Sequence, residues 1–287
     1  MSSIPSIIKW TGSKRKQSST IFSIIPNHSR YIEPFLGGGS VLFLAKEKST
    51  ENPICSDIYE PLIELWCLIK DDPELLINNY AMQWDKLSDE LDILYADDSN
   101  DKRLKNIPKT YYDIRDSFNN SPNALDLNFI LRTCVNGIVR FNSKGEFNNS
   151  FHLSRRGMNP KTFERNVMIW HKKIQNVSFL SQDYEITLDL AKKDDLVYLD
   201  PPYVNSKNRY INDLDLEKLL LNLERLNKKG VLWALSFDGS RDNSDYTHEM
   251  PPELYRNRFS IENGISNIRN LLANEQEYVT ESLYTNF

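Results

Sequence analysis

Apolar residues along this chain follow two rhythms. Short unbroken runs at Tyr31-Ile32, Pro53 to Ser56, Val177 to Leu180, Leu196 to Leu199 and Val231 to Leu235 have the length of buried strands. Elsewhere the spacing is helical. Leu62, Ile63, Leu65, Trp66 and Ile69, then Leu75, Leu76 and Tyr80, predict helix over about 61–94. A second helical region runs from Tyr111 to Phe118 and from Leu125 to Cys134, a third from Met158 to Ile174, and Val41 to Lys46 is helix-like. Leu214 to Leu226 is strongly periodic, with Asp213 or Asp215 near its start and Gly230 past its end. Residues 95–109 are polar and read as an exposed loop. Phe141 to Phe147 reads as a β-hairpin with polar residues and Gly145 at its tip. These elements give an α/β chain whose strands are interrupted by a long helical insert.

Length agrees with that plan, because 287 residues can hold one large α/β domain with an inserted subdomain. No apolar run approaches a membrane span, and Ile7-Ile8 gives way at once to Lys9, so neither a membrane segment nor a signal-peptide core is expected. Cys55, Cys67 and Cys134 lie far apart, and the four histidines lack metal-ligand spacing. Buried free thiols in a cytosolic protein, with no metal, is the expectation.

Net charge is −5, which argues against a nucleic-acid binder until it is divided along the chain. Residues 1–60 carry +2, residues 61–126 carry −7, and residues 176–287 carry −7. Residues 127–175 hold nine basic and two acidic side chains, a net of +7. Such a run is usually a solvated face, but its concentration in one stretch also suits a local electrostatic footprint for nucleic acid.

The chemistry centres on Leu199-Asp200-Pro201-Pro202-Tyr203. Asp200 follows a strand, so its carboxylate falls at a strand's carboxyl end, where open α/β sheets bind ligands. The two prolines fix φ and donate no N–H, leaving carbonyls as acceptors, and an aromatic follows. A carboxylate, a carbonyl and a ring in one rigid turn suit an amino group on a flat heterocycle such as adenine; the plainer reading is a turn that ends a strand. A second element decides between them. Tyr31 to Glu33 runs through Pro34-Phe35-Leu36 into Gly37-Gly38-Gly39-Ser40 and then into a helix-like segment. Glycines at such a turn let backbone approach a bound nucleoside. No Lys-Ser or Lys-Thr follows, and Leu42 stands where a dinucleotide fingerprint has its third glycine, so a ligand without phosphates is expected. Asp57, eighteen positions past Gly39 and closing a strand, stands where a doubly wound fold places the acid that binds ribose hydroxyls; the alternative is a helix cap.

Four ordered motifs carry a family likeness: Lys9-Trp10-Thr11-Gly12-Ser13-Lys14, Glu33 to Ser40, Asn136 to Asn142 with Gly145 to Asn148, and Asp200-Pro201-Pro202-Tyr203. Together they resemble the Dam-like, alpha-group DNA adenine-N6 methyltransferases, over about residues 8–235. The resemblance implies an S-adenosylmethionine-dependent methyltransferase fold, Rossmann-like with a doubly wound mixed sheet, and an inserted helical and β-hairpin DNA-recognition subdomain. On this reading residues 1–60 and 176–287 form the catalytic domain, and residues 61–175 the insert, with its basic hairpin near 136–157.

The same resemblance assigns roles. Asp200, Pro201, Pro202 and Tyr203 are the catalytic residues. The loop from Val204 to Tyr210 would cover the flipped adenine or touch a phosphate. The S-adenosylmethionine pocket takes Trp10, Lys14, Phe35, Gly37, Gly39, Ser40, Asp57, Asp183 and Tyr184, with Asp200 near the methionine end. Core and solvated surface are the bland readings of Trp10 and Lys14. DNA contacts fall to Lys9, Asn136, Ile138, Arg140, Asn142, Lys144, Arg155 and Arg156, with Arg140 reading a base and Lys144, Arg155 and Arg156 meeting phosphates. Double-stranded DNA is the partner, a restriction endonuclease acting on the same site a further one, and a cytoplasmic monomer in a bacterial or phage-infected cell the expected setting.

Departures from the family pattern bear on the recognised sequence: Val135 replaces an aromatic before Asn136-Gly137, and Ser13, Ser150 and His152 replace a Gly, a Pro and a Gly. Alternatives are a cytosine-N4 methyltransferase, which usually has Ser at position 200, an RNA or protein methyltransferase, which more often has Asn there, and a non-enzymatic DNA-binding protein. No role is assigned to Arg241 to Asn263.

Overall fold

The computed structural model describes residues 4–96, 107–202, 215–241, 244–245, 250–265 and 278–287. Its helices are α1 (Ser18–Ile24), α2 (Leu42–Ala45), α3 (Glu60–Asp71), α4 (Pro73–Ala96), α5 (Lys109–Asn120), α6 (Ala124–Thr133), α7 (Pro160–Lys173), α8 (Tyr184–Asp189) and α9 (Leu216–Lys229). Its strands are β1 (Tyr31–Glu33), β2 (Ile54–Asp57), β3 (Ser178–Ser181), β4 (Leu196–Leu199), β5 (Leu232–Arg241), β6 (Ser244–Asp245), β7 (Asn257–Ile265) and β8 (Tyr278–Thr285). Two compact units share them. Of the described residues, one unit is drawn from 4–13 and 59–175, the other from 14–58 and from 176 onward. The N-terminal segment therefore groups with the helical insert rather than with the sheet. Its backbone carbonyls explain this: Pro5 accepts from the Trp170 indole at 2.9 Å, and Ile7 accepts from the Arg132 guanidinium.

In the sheet unit the strand order is β3-β2-β1-β4-β5-β8-β7, with β6 paired to β5. β1 to β5 run parallel, with Ile32 opposite both Ile54 and Val197. β8 is antiparallel to β5 and β7. The strand order reverses between β1 and β4, which makes their carboxyl ends the crevice where a doubly wound sheet binds ligands. The apolar runs read from the sequence are these parallel strands, and β4 is buried at all four positions. On one face Val197, Leu199, Trp233, Leu235 and Phe237 pack with Leu219, Leu223 and Leu226 of α9. Asp215 caps α9 by accepting from Lys218 N at 3.1 Å, and Gly230 ends it in a left-handed turn at φ 71°. Asp213, the alternative cap, lies outside the described residues. β7 and β8 come from a stretch to which the apolar pattern assigned no element.

In the other unit the single helix expected over 61–94 is two, because Pro73 disfavours helical geometry at Asp72, which sits at φ −140° and ψ 66°. Trp66 meets Trp170 edge-on at 5.0 Å, and Tyr80 lies 4.2 Å from Phe163, so α3, α4 and α7 share one aromatic core. The Arg132 guanidinium is buried in it, over the Phe163 ring at 4.6 Å and within 3.3 Å of Asn128 Oδ1. Of the polar loop expected over 95–109, residues 97–106 lie outside the described residues, and Tyr95 and Ala96 still belong to α4. Cys55 and Cys134 are buried free thiols, whereas Cys67 is half-buried.

Candidate active site

Four neighbouring strands of the sheet unit end in the residues expected to bind a ligand. β1 ends at Glu33 and continues into the glycine turn, β2 ends at Asp57, β3 leads to Asp183-Tyr184, and β4 leads to Asp200. The turn is held open by backbone geometry that only glycine adopts easily, with Gly37 at φ 47° and Gly39 at φ 61°. Asp57 Oδ2 accepts from Gly37 N at 3.0 Å, which ties the end of β2 to the turn. Asp57 is not a helix cap: that position before α3 belongs to Tyr59. Phe35 stacks on Tyr184 at 5.1 Å and 27°, and Asp183 caps α8 by accepting from Glu185 N at 2.9 Å. Ser40 is buried at the entrance to α2.

Beside this row lies a buried ion pair. Lys14 Nζ sits 2.7 Å from Asp200 Oδ1 and 3.5 Å from Glu281 Oε2. Lys14 is 4% exposed, which overturns the reading of a solvated surface lysine. Burial pushes the Asp200 carboxyl up to about 6; Lys14 opposes that rise and the Glu281 charge adds to it. Glu33 is fully buried, and burial lifts its carboxyl well above the usual range against the hydrogen bond from Tyr31 Oη at 2.9 Å. Pro201 is buried and Pro202 half-buried, while Tyr203 and the loop 204–210 lie outside the described residues. Sequence reasoning missed Glu33 as a charged group of the site, and it missed Glu281 altogether. Glu33 could have been found from its place at the end of β1, beside the glycines.

The expected DNA-contacting residues are all in the helical unit. Phe141 and Phe147 form an antiparallel bridge flanked by two backbone bonds, from Asn142 N to the Glu146 carbonyl at 2.9 Å and from Asn148 N to the Arg140 carbonyl at 3.0 Å, and side chains hold other backbone groups of this hairpin. Asn119 on α5 accepts from Phe147 N at 2.7 Å and donates to its carbonyl at 3.1 Å. Asn142 Oδ1 accepts from Lys144 N at 2.9 Å and Glu146 N at 3.0 Å, and its amide donates to Glu146 Oε2, so this residue builds the hairpin tip. Arg140 is exposed and bonds Asn148 through Nε at 2.8 Å and Nη2 at 3.0 Å. Asn136 and Ile138 precede this hairpin in the chain. Asn136 lies in the 3-10 turn Val135–Gly137 at φ 56°, and Ile138 follows that turn. The buried Asn149 amide holds the segment by donating to the carbonyls of Val135 and Ile138, each at 2.9 Å. Lys9 packs along Gly137, where an added Cβ would stand 2.7 Å from Lys9 Cδ. Its ammonium is held below its ordinary range by burial, then by Arg132 and Arg155. Lys144 and Arg155 are exposed, whereas Arg156 already pairs with Asp92 at 2.5 Å. Trp10 is half-buried and its ring meets Tyr59 at 6.0 Å.

Residues 10–225 match the family model described as D12 class N6 adenine-specific DNA methyltransferase. The chain belongs to that family. This D12-class methyltransferase is 34% identical over 253 residues to the Type II methyltransferase M.MjaIII of Methanocaldococcus jannaschii, covering 80% of this chain and 82% of that one. It is 32% identical over 201 residues to a DNA adenine methylase of Haemophilus influenzae, covering 68% and 63% of the two chains. A Type II methyltransferase of Lactococcus lactis, M1.LlaDCHI, is 26% identical over 97% of this chain and 94% of its own. The D12-class enzyme is thus an N6-adenine DNA methyltransferase, and the cytosine, RNA, protein and non-enzymatic alternatives fall away. Among the described residues no helix is long and apolar enough to cross a membrane, and no cluster of His, Cys, Asp or Glu is placed to hold a metal.

Proposed function

We propose that this enzyme methylates adenine N6 at a specific site in double-stranded DNA, with S-adenosylmethionine as donor and Asp200 as the central catalytic residue. The observation that carries the assignment is the Asp200–Lys14 pair at the carboxyl end of β4, with Lys14 buried and Asp200 half-buried. The donor pocket of this reading comprises Phe35 to Ser40, Asp57, Asp183 and Tyr184. It suits a nucleoside: left-handed glycines clear backbone space, Asp57 offers a carboxylate for ribose hydroxyls, and Asp183 one for an adenine amino group. When bound, S-adenosylmethionine supplies an activated methyl group.

Adenine's exocyclic nitrogen is a weak nucleophile because its lone pair is delocalised into the ring. Asp200 and the Pro201 carbonyl each accept one of its N–H groups and hold the remaining lone pair in one direction. The same acceptors stabilise positive charge as it grows on that nitrogen. Orientation of this kind supplies several kcal/mol, up to roughly 7–11 in ideal cases. Asp200 acts as an acceptor in its ionised form, which Lys14 favours. The base leaves the duplex at a cost of about a few kcal/mol, and Tyr203 is assigned to stack on it.

Arg140 is proposed to read a base, with Lys9, Lys144 and Arg155 holding backbone. Asn136 and Ile138 are proposed contacts of the adjoining turn; Asn142 supports them by shaping the tip. Arg156 would have to exchange Asp92 for a phosphate. A restriction–modification setting, with an endonuclease reading the same site, rests on the names of the Methanocaldococcus and Lactococcus relatives. The test is transfer of labelled methyl groups from S-adenosylmethionine to duplex DNA by the parent and by Asp200→Ala. The proposal expects N6-methyladenine from the parent and none above background from a folded variant.

A further inference from the structure

One feature of the sheet unit lies outside the family's motifs. Glu281 stands on β8, beyond the matched residues 10–225, yet its carboxylate reaches the same ammonium as Asp200. Strand alternation explains how. Tyr198 pairs with Ala234 across β4 and β5, Ala234 pairs with Thr285, and Ser236 pairs with Leu283, so these side chains share one face of the sheet. Tyr198 Oη and Ser236 Oγ meet on that face at 2.8 Å. Asp200 follows Tyr198 by two positions and Glu281 precedes Leu283 by two, which brings both acids to the face that Lys14 covers. The β5–β8 register slips between Phe237 and Gly239, directly beside Glu281, and a bulge there re-aims the neighbouring side chain. Glu281 is only 14% exposed, so its charge is weakly screened.

One ammonium cannot neutralise two carboxylates. The three groups together carry one net negative charge when both acids are ionised. We propose that Glu281 is a positioning residue of the methyl-transfer site: it shares Lys14 with Asp200 and thereby sets both the place of the ammonium and the ease with which Asp200 ionises. The inference rests on the reading of Asp200 as acceptor for the adenine amino group. Among the described residues, the charged and titratable groups facing Asp200 are Lys14 before α1, Glu281 on β8, Glu33 at the end of β1 and Tyr198 on β4. Among the described residues, Glu281 is the acid at this site that the family's motifs do not supply. Removing its charge leaves Lys14 to Asp200 alone, which favours the Asp200 anion.

The experiment is the pH dependence of kcat for the full chain and Glu281→Gln, with duplex DNA and S-adenosylmethionine saturating. The acid limb of Glu281→Gln is expected to move down by about half a pH unit to one unit, with KM for DNA and the thermal midpoint unchanged. An acid limb that stays in place in a folded variant overturns the inference. Should Glu281→Gln not fold, Glu281→Ala, which also removes the charge, reads the same downward shift, and an unmoved limb there has the same meaning. Asp200→Ala separates the two claims: activity retained in Asp200→Ala defeats the reading of Asp200, whereas an inactive Asp200→Ala beside an unshifted Glu281→Gln defeats only the role of Glu281.

Discussion

Asp57 Oδ2 accepts the Gly37 amide hydrogen across 3.0 Å, so one carboxylate both closes β2 and anchors the turn after β1. Its substitution therefore affects the turn as well as the ligand. Asp57→Ala is expected to weaken S-adenosylmethionine binding at least tenfold, a loss of about 1.5–3 kcal/mol for hydrogen bonds to a charged group. Asp57→Asn keeps an acceptor for Gly37 and loses only charge, so it falls between Ala and the parent. Isothermal titration of the three proteins with the donor checks the order.

Burial outweighs the pull of Lys14 and pushes the Asp200 carboxyl up to about 6, above the ordinary range for aspartate. Protonation of Asp200 removes its negative charge and turns one oxygen into a donor, so kcat is expected to be about half-maximal near pH 6, to approach its full value roughly one to two units above that, and to fall below it. The stability contribution has the opposite sign. A folded pKa above the unfolded value means the folded state binds this proton more tightly, so this group favours folding increasingly as pH falls through 6. Lys14→Gln removes the cation and is expected to move the acid limb of kcat upward, read from a pH profile beside a thermal melt.

Arg140 presents a guanidinium already oriented by two bonds to Asn148. Arg140→Ala is expected to reduce discrimination between the target site and single-base variants by ~1–3 kcal/mol. Lys144→Ala should weaken binding to all sequences alike and lower the salt slope by about 1. Competition titrations at several salt concentrations separate the two outcomes.

Asn149 is buried and donates to two carbonyls on either side of the turn at Asn136. Asn149→Ala strands those acceptors at a cost of about 1–3 kcal/mol. The expected result is a melting temperature lower by roughly 2–10 °C and weaker DNA binding, with donor affinity unchanged. Differential scanning calorimetry and a titration with each ligand check it.

The parallel strands and most helices were legible because their apolar spacing is regular and their ends carry strong signals, as at Asp215 and Gly230. Pro73 marked a break that the apolar rhythm ran across, since Leu75, Leu76 and Tyr80 continue a helical spacing on its far side. Lys14 shows the limit of reading one residue at a time: a lysine between Ser13 and Arg15 looks solvated until the fold brings Asp200 and Glu281 to it. Glu281 had no local signal, because its place depends on an antiparallel pairing and a bulge. The hairpin was visible from Gly145 and its polar tip, but not its dependence on Asn119 and Asn149, which act from other segments. The grouping of residues 4–13 with the helices rests on long-range bonds from Trp170 and Arg132, equally invisible in the spacing.

The central claim is that Asp200 is the residue on which methylation of adenine N6 in DNA depends. Its most direct measurement is modification-sensitive single-molecule sequencing of DNA from a methylation-free host that expresses the chain, beside a host expressing Asp200→Ala at equal folded amounts. N6-methyladenine is expected at one short motif with the parent and is expected to be absent with the variant. Methylation at that motif persisting in the Asp200→Ala host would contradict that claim.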